Sequence, residues 1–238
     1  MLRHTGQNRS FSHNLRLAVL LCLNAGFINA AGFLCFRLLT TNVTGHAAAL
    51  AINIAENELR SAAVVALWLL LFLAGAFFSG LCIARIGTER AFVYTIPFLI
   101  IIALILMVAI AAPHYQSSTH VEIFAGSLLF AMGMQNALVS MVSGSVVRTT
   151  HLTGMFTDLG IDLSTACMLP AERNATLKRK IILRLAIIVS FLAGGVIGGI
   201  AFLRISYNAF YIPAGLLLFT LFYDYFPVRI KRAIGDDE

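Results

Sequence analysis

Charge is scarce in this sequence. Asp, Glu, Lys and Arg together make up 12% of its 238 residues, against about 25% in soluble domains. That scarcity excludes the evenly charged surface of an ordinary water-soluble domain. Cysteine is sparse as well. Cys22, Cys35, Cys82 and Cys167 stand in or beside apolar segments without CxxC spacing, so they read as small packing residues rather than a metal site or disulfide framework. No cluster of His, Cys and carboxylates has metal-ligand spacing. A Walker A loop, a GxSxG elbow, an HExxH pair and a dinucleotide fingerprint are all missing. ATP-driven work by this chain alone is therefore not expected, no cofactor is implied, and an intramembrane enzyme has no nucleophile–base pair to rest on.

What the sequence has instead is apolar length. Hydrophobic residues are 59% of the chain and the mean hydropathy is +0.88. Residues 62–84 and 91–112 contain no charge at all, and about 20 such residues span the hydrocarbon core as a helix. The expected fold is all-α, a polytopic transmembrane helical bundle. The long segments are 17–36, 62–84, 91–112, 123–142, 185–203 and 207–223. Two further apolar stretches, 43–55 and 150–169, are short or carry polar residues and make poor lipid-facing spans.

A net charge of +6 and a pI near 9.5 would suit a nucleic-acid partner. The basic residues, however, sit at the ends of apolar blocks, where they act as orientation signals in a membrane. The expected partner is the lipid bilayer, with no nucleic acid. If only the six long segments cross and the N-terminus is cytoplasmic, Arg37, Arg60 and Arg204 are the only basic residues outside. If the two doubtful stretches cross too, Arg37, Arg85, Arg90, Arg148 and Arg204 lie outside. The positive-inside rule favours six spans with both termini cytoplasmic. The N-terminal arginines ahead of 17–22 mimic a secretory signal, but this region has a counterpart inside the second half, which a cleaved leader would not.

That counterpart belongs to an ordered internal repeat. Gly26-Phe-Ile-Asn29-Ala30 resembles Gly133-Met-Gln-Asn136-Ala137, and each leads to a Thr-rich turn, Thr40 to Gly45 and Thr149 to Gly154. Ala74-Gly75, Gly80 and Arg85 match Ala193-Gly194, Gly199 and Arg204, and Ala91-Phe92 with Pro97 resembles Ala209-Phe210 with Pro213. The expected organisation is a cytoplasmic segment 1–16, one transmembrane domain over 17–226 and a cytoplasmic tail 227–238. The domain divides into halves of about 17–112 and 121–226. Three long spans per half would invert the second half against the first, an arrangement that builds many secondary transporters around a midplane site. If both doubtful stretches crossed, the repeats would be parallel.

Paired short segments are the sequence pointer to such a site. Gly45 and Gly154 would permit tight turns, with a helix starting just after each and its amides and positive dipole end free for an anion or carboxylate. The candidate binding residues are Asn29, Thr44, Gly45, Asn136, Thr153 and Gly154. Candidates for proton or ion coupling are Asp158 and Asp162, four apart on one helix face, with His46 and His151 beside the two Thr-Gly elements. Each has a plainer reading: solvated carboxylates, hydrogen-bonding histidines and ordinary helix caps. Asn24 and Gln135 read as interhelical glue, and Gly194-Gly195-x-x-Gly198-Gly199 as a close-packing face. Asn42-Val-Thr44 and Asn174-Ala-Thr176 fit the glycosylation pattern, a weak signal.

The paired elements, from Gly26 through Asn42-Val-Thr44-Gly45 and from Gly133 through Arg148-Thr-Thr-His-Leu-Thr-Gly154, resemble the YoaK-type bacterial inner-membrane family, a domain of unknown function. The resemblance covers roughly residues 15–232. It implies a bacterial inner-membrane location and the span count, and no substrate. Where such proteins are expected to carry an acidic residue in the first element this chain has Asn29, and His46 stands where Asn is common. Two functions follow as expectations: a transporter or permease for a small solute, or a membrane-embedded interaction and assembly protein. A homodimer would suit a half-sized permease by analogy.

Overall fold

The computed structural model describes residues 11–87, 93–115, 117–144, 147–168 and 175–234, with side chains as far as residue 222 except that of His13. Arg3, Arg9, Arg90, the start of the predicted segment at residue 91, and Pro170 to Asn174 lie outside the described residues. The described chain is all-helical, with no strand. In order the helices are α1 (Phe11–Phe36), α2 (Val43–Ala55), α3 (Leu59–Ile86), α4 (Thr95–Ala111), α5 (Ser118–Ser143), α6 (Leu152–Met168), α7 (Ala175–Ile205) and α8 (Tyr211–Ile234). A 3₁₀ turn, Ser206–Phe210, joins α7 to α8.

Four helical stretches are long and apolar enough to cross a bilayer: Asn14–Phe36, Leu59–Ile86, Ser118–Ser143 and Ala175–Phe222. The last contains the 3₁₀ break and so comprises two helices. The 17 residues of α4 and the 13 of α2 are shorter. At 1.5 Å per residue, α2 reaches roughly 20 Å against a hydrocarbon core of about 30 Å.

Helix partners are set by small residues. Five glycines lie where a Cβ would overlap a carbonyl oxygen of the neighbouring helix: Gly26 against Phe191, Gly194 against Leu23, Gly198 against Phe27, Gly133 against Phe72 and Gly75 against Phe130. These close approaches lay α1 along α7 and α3 along α5, as small-residue stripes do where water supplies no drive for helix association. Along both seams the residue numbers rise together, Leu23 facing Gly194 and Phe27 facing Gly198. Both pairs are thus parallel.

Between the pairs, α1 meets α5 in the opposite sense. Phe36 stacks on Phe124 with ring centroids 6.4 Å apart, while Asn24 bonds Gln135. The two helices are antiparallel. The polar link is fully buried: Asn24 Nδ2 donates to Gln135 Oε1 at 2.8 Å, and Gln135 Nε2 donates to the Leu21 carbonyl at 3.0 Å. It acts as the interhelical glue expected of these two amides. Around it the core of α1, α4 and α5 is closed by Phe27, Phe98, Leu128 and Met132.

Candidate functional site

Both Thr-Gly elements fold as helix starts, but not by the expected mechanism. The helices begin at Val43 and Leu152, two residues before Gly45 and Gly154, and neither glycine has a positive φ. The glycines are there for room. A Cβ on Gly45 would overlap the side chain of Asn42, and one on Gly154 would overlap the ring of His151. In each case the residue preceding the helix folds its side chain back over the first turn.

The two starts then differ. Asn42 is a true N-cap, its Oδ1 accepting from the Gly45 amide at 3.0 Å, which is the ordinary use of Asn at this position. His151 occupies the matching place on α6 but bonds none of the opening amides. The N–H groups of Leu152, Thr153 and Gly154 have no partner among the described residues.

The turns leading into these helices are tied to the long spans by asparagine. Asn29 Oδ1 on α1 accepts from the Thr41 amide at 3.1 Å and from the Thr41 hydroxyl at 2.9 Å. Asn136 Oδ1 on α5 accepts from the Thr149 hydroxyl at 3.5 Å. The first asparagine thus satisfies a backbone N–H as well as a hydroxyl, and the second meets the hydroxyl alone.

These pieces enclose a polar cavity of about 690 Å³, within the range of small-molecule sites. Of the residues singled out from sequence, Asn29, Thr44, Asn136, His151, Thr153, Gly154 and Asp158 line it. Gly45, His46 and Asp162 do not. His46 is buried, its Nε2 2.8 Å from the Leu39 carbonyl and its ring 6.1 Å from Trp68. It helps fix α2 on α3. Phe72 and Phe191, whose carbonyls meet Gly133 and Gly26, form apolar walls.

Asp158 and Asp162 are held by one arginine. Arg184 Nη1 donates to the Asp158 carbonyl at 3.0 Å and Nη2 to its carboxylate at 3.3 Å, while the guanidinium also meets the Asp162 carboxylate. The pairing joins α6 to α7. Sequence reasoning named neither Arg148 nor Arg184 as a site residue, and it missed Thr41, Ser140, Thr150 and Thr157 on the cavity wall. A second hollow of about 400 Å³ adjoins the first, sharing Arg148, His151, Gly154 and Asp158 and adding Lys180, Leu183 and Arg184.

A family model described as "Protein of unknown function (DUF1275)" matches residues 17–223. The chain belongs to the DUF1275 family. The match includes every cavity residue and agrees with the resemblance read from the paired elements. No curated protein and no solved structure matches this DUF1275 chain. The family description carries no activity, and the cavity is the feature from which a function can be inferred.

Proposed function

We propose that this chain is a secondary transporter or permease for a small solute, with its binding cavity between two duplicated, inverted halves. The carrying observation is that the cavity is lined by corresponding residues of both. Asn29 corresponds to Asn136, Thr44 to Thr153 and Phe72 to Phe191, and all six face the same space.

The helix contacts repeat in the same register. Gly26 on the Phe191 carbonyl corresponds to Gly133 on the Phe72 carbonyl, and Gly194 on Leu23 corresponds to Gly75 on Phe130. Chance recurrence of glycine would not reproduce its contact partner as well. The antiparallel crossing of α1 and α5, themselves corresponding helices, supports inversion. Inverted halves need an odd number of crossings each. That favours six spans, with α2 and α6 entering from opposite sides without crossing, and the termini on the cytoplasmic side of a bacterial inner membrane.

Reconstituted protein loaded with radiolabelled neutral, anionic or cationic small solutes tests the reading. Flux of at least one class is expected, reduced in the Asn29→Ala/Asn136→Ala variant. Absence of flux for every class from folded protein would sink it in favour of an assembly role, and wild-type flux in that variant would remove this cavity as the transport site.

A further inference from the structure

We infer that the cavity binds an anionic group, seated by the second half through Arg148 and the opening turn of α6. The inference rests on the cavity assigned above and adds the chemical class of its occupant.

Charge divides the two halves of the wall. Where the first half contributes Leu39 and Asn42, the second contributes Arg148 and His151 and adds Asp158. The one carboxylate in that set is already committed, since Asp158 and Asp162 both engage Arg184. Arg148 has no carboxylate partner among the described residues, and neither has Lys180 in the adjoining hollow. Unspent positive charge therefore borders both spaces. Three cations (Arg148, Lys180 and Arg184) stand against two carboxylates (Asp158 and Asp162), and the one net positive charge left beside low-dielectric walls concentrates an anion.

The backbone reinforces this bias. At α2 the cap Asn42 takes up the Gly45 amide, which leaves one opening amide fewer for a ligand than at α6. At α6 the three opening amides have no partner among the described residues, and Leu152, Thr153 and Gly154 line the same cavity as Arg148; free amides at a helix start favour an oxyanion. Carboxylate, phosphate and sulfate share the required chemistry, whether carried by a free solute or by a lipid headgroup.

The test uses full-length protein in neutral detergent. Its thermal unfolding is followed with acetate, succinate, phosphate, sulfate, choline or glycerol at constant ionic strength, and separately with phosphatidylglycerol or phosphatidylcholine. Stabilisation by a soluble anion supports a free solute, and stabilisation by phosphatidylglycerol alone supports a headgroup. In either case the affinity should weaken about tenfold in Arg148→Gln and less in Arg148→Lys, the scale of one charged hydrogen bond. Lys180→Gln gives a second variant away from the α6 turn, with a smaller loss expected. Response to choline or glycerol alone, no response at all, or an anion response unchanged in Arg148→Gln would overturn the inference. Anion binding without flux would remove the transport reading and leave this one standing; flux confined to neutral or cationic solutes would do the reverse.

Discussion

Gly26 packs so closely on Phe191 that a methyl group on its α-carbon would overlap the phenylalanine's carbonyl oxygen. The obstacle is backbone, which cannot swing aside as a side chain can. Alanine at Gly26, Gly133 or Gly194 should therefore cost about 1–3 kcal/mol, the range for overpacking a filled interface. Alanine at Gly195, whose nearest neighbour to the added carbon is 3.7 Å away, or at Gly160, with none within 4 Å, should be near neutral. Thermal unfolding in detergent measures the contrast. Equal destabilisation at Gly195 and Gly194 would show that the seams are not set by these contacts.

Asn24 and Gln135 should be energetically coupled. Each is fully buried, and the bond between them joins the antiparallel α1 and α5. Gln135→Leu leaves Asn24 without its acceptor, whereas Asn24→Leu/Gln135→Leu removes both polar groups. The double variant should be more stable than the sum of the singles predicts, by about 0.6–2 kcal/mol for such bonds in membrane proteins. A double-mutant cycle closing at zero would make the pair incidental.

Much of the helical plan was legible because it depends on local chemistry. The short helix at 43–55 is found at those bounds, since Asn42 before it supplies the cap and the apolar run ends at Glu56. The Asn29 and Asn136 elements could be found because each recurs in order with a Thr-rich turn. What stayed hidden was set by partners distant in sequence. Arg184 looks like any arginine at the foot of a span, and only the packing of α6 on α7 brings it to Asp158 and Asp162. Gly45 and Gly154 looked like turn residues, because sequence cannot tell a glycine needed for its φ from one needed for the room it leaves.

Crossing number can be read from outside the cell. With six spans, Asn57 between α2 and α3 and Tyr115 before α5 face out, and Gly87 after α3 faces in. With eight, all three reverse. Asn57 and Tyr115 are exposed. Single cysteines at Asn57 and Tyr115, in a background lacking the four native ones, should react with a membrane-impermeant maleimide in intact spheroplasts. A cysteine at Gly87 should react only after permeabilisation. The opposite pattern would require α1 and α5 to run parallel, against their antiparallel crossing, and would remove the inverted-repeat argument.

Arg184 should be a structural clasp whose loss is felt through Asp162. The Asp162 side chain is only 12% exposed and the Arg184 side chain 21%, so neither charge is well hydrated once its partner is gone. Removing one member of a fully buried pair costs about 3–5 kcal/mol. With Asp158 half in the open at 47%, a smaller loss of about 2–3 kcal/mol is expected for Arg184→Gln. Asp158→Asn should cost less than about 1 kcal/mol, as exposed pairs do. If the penalty is the stranded carboxylate, Asp162→Asn should restore most of the stability lost in Arg184→Gln. Thermal unfolding of the two singles and the double variant decides it: additive losses would mean that Arg184 acts by packing its stem between α6 and α7 rather than by neutralising Asp162.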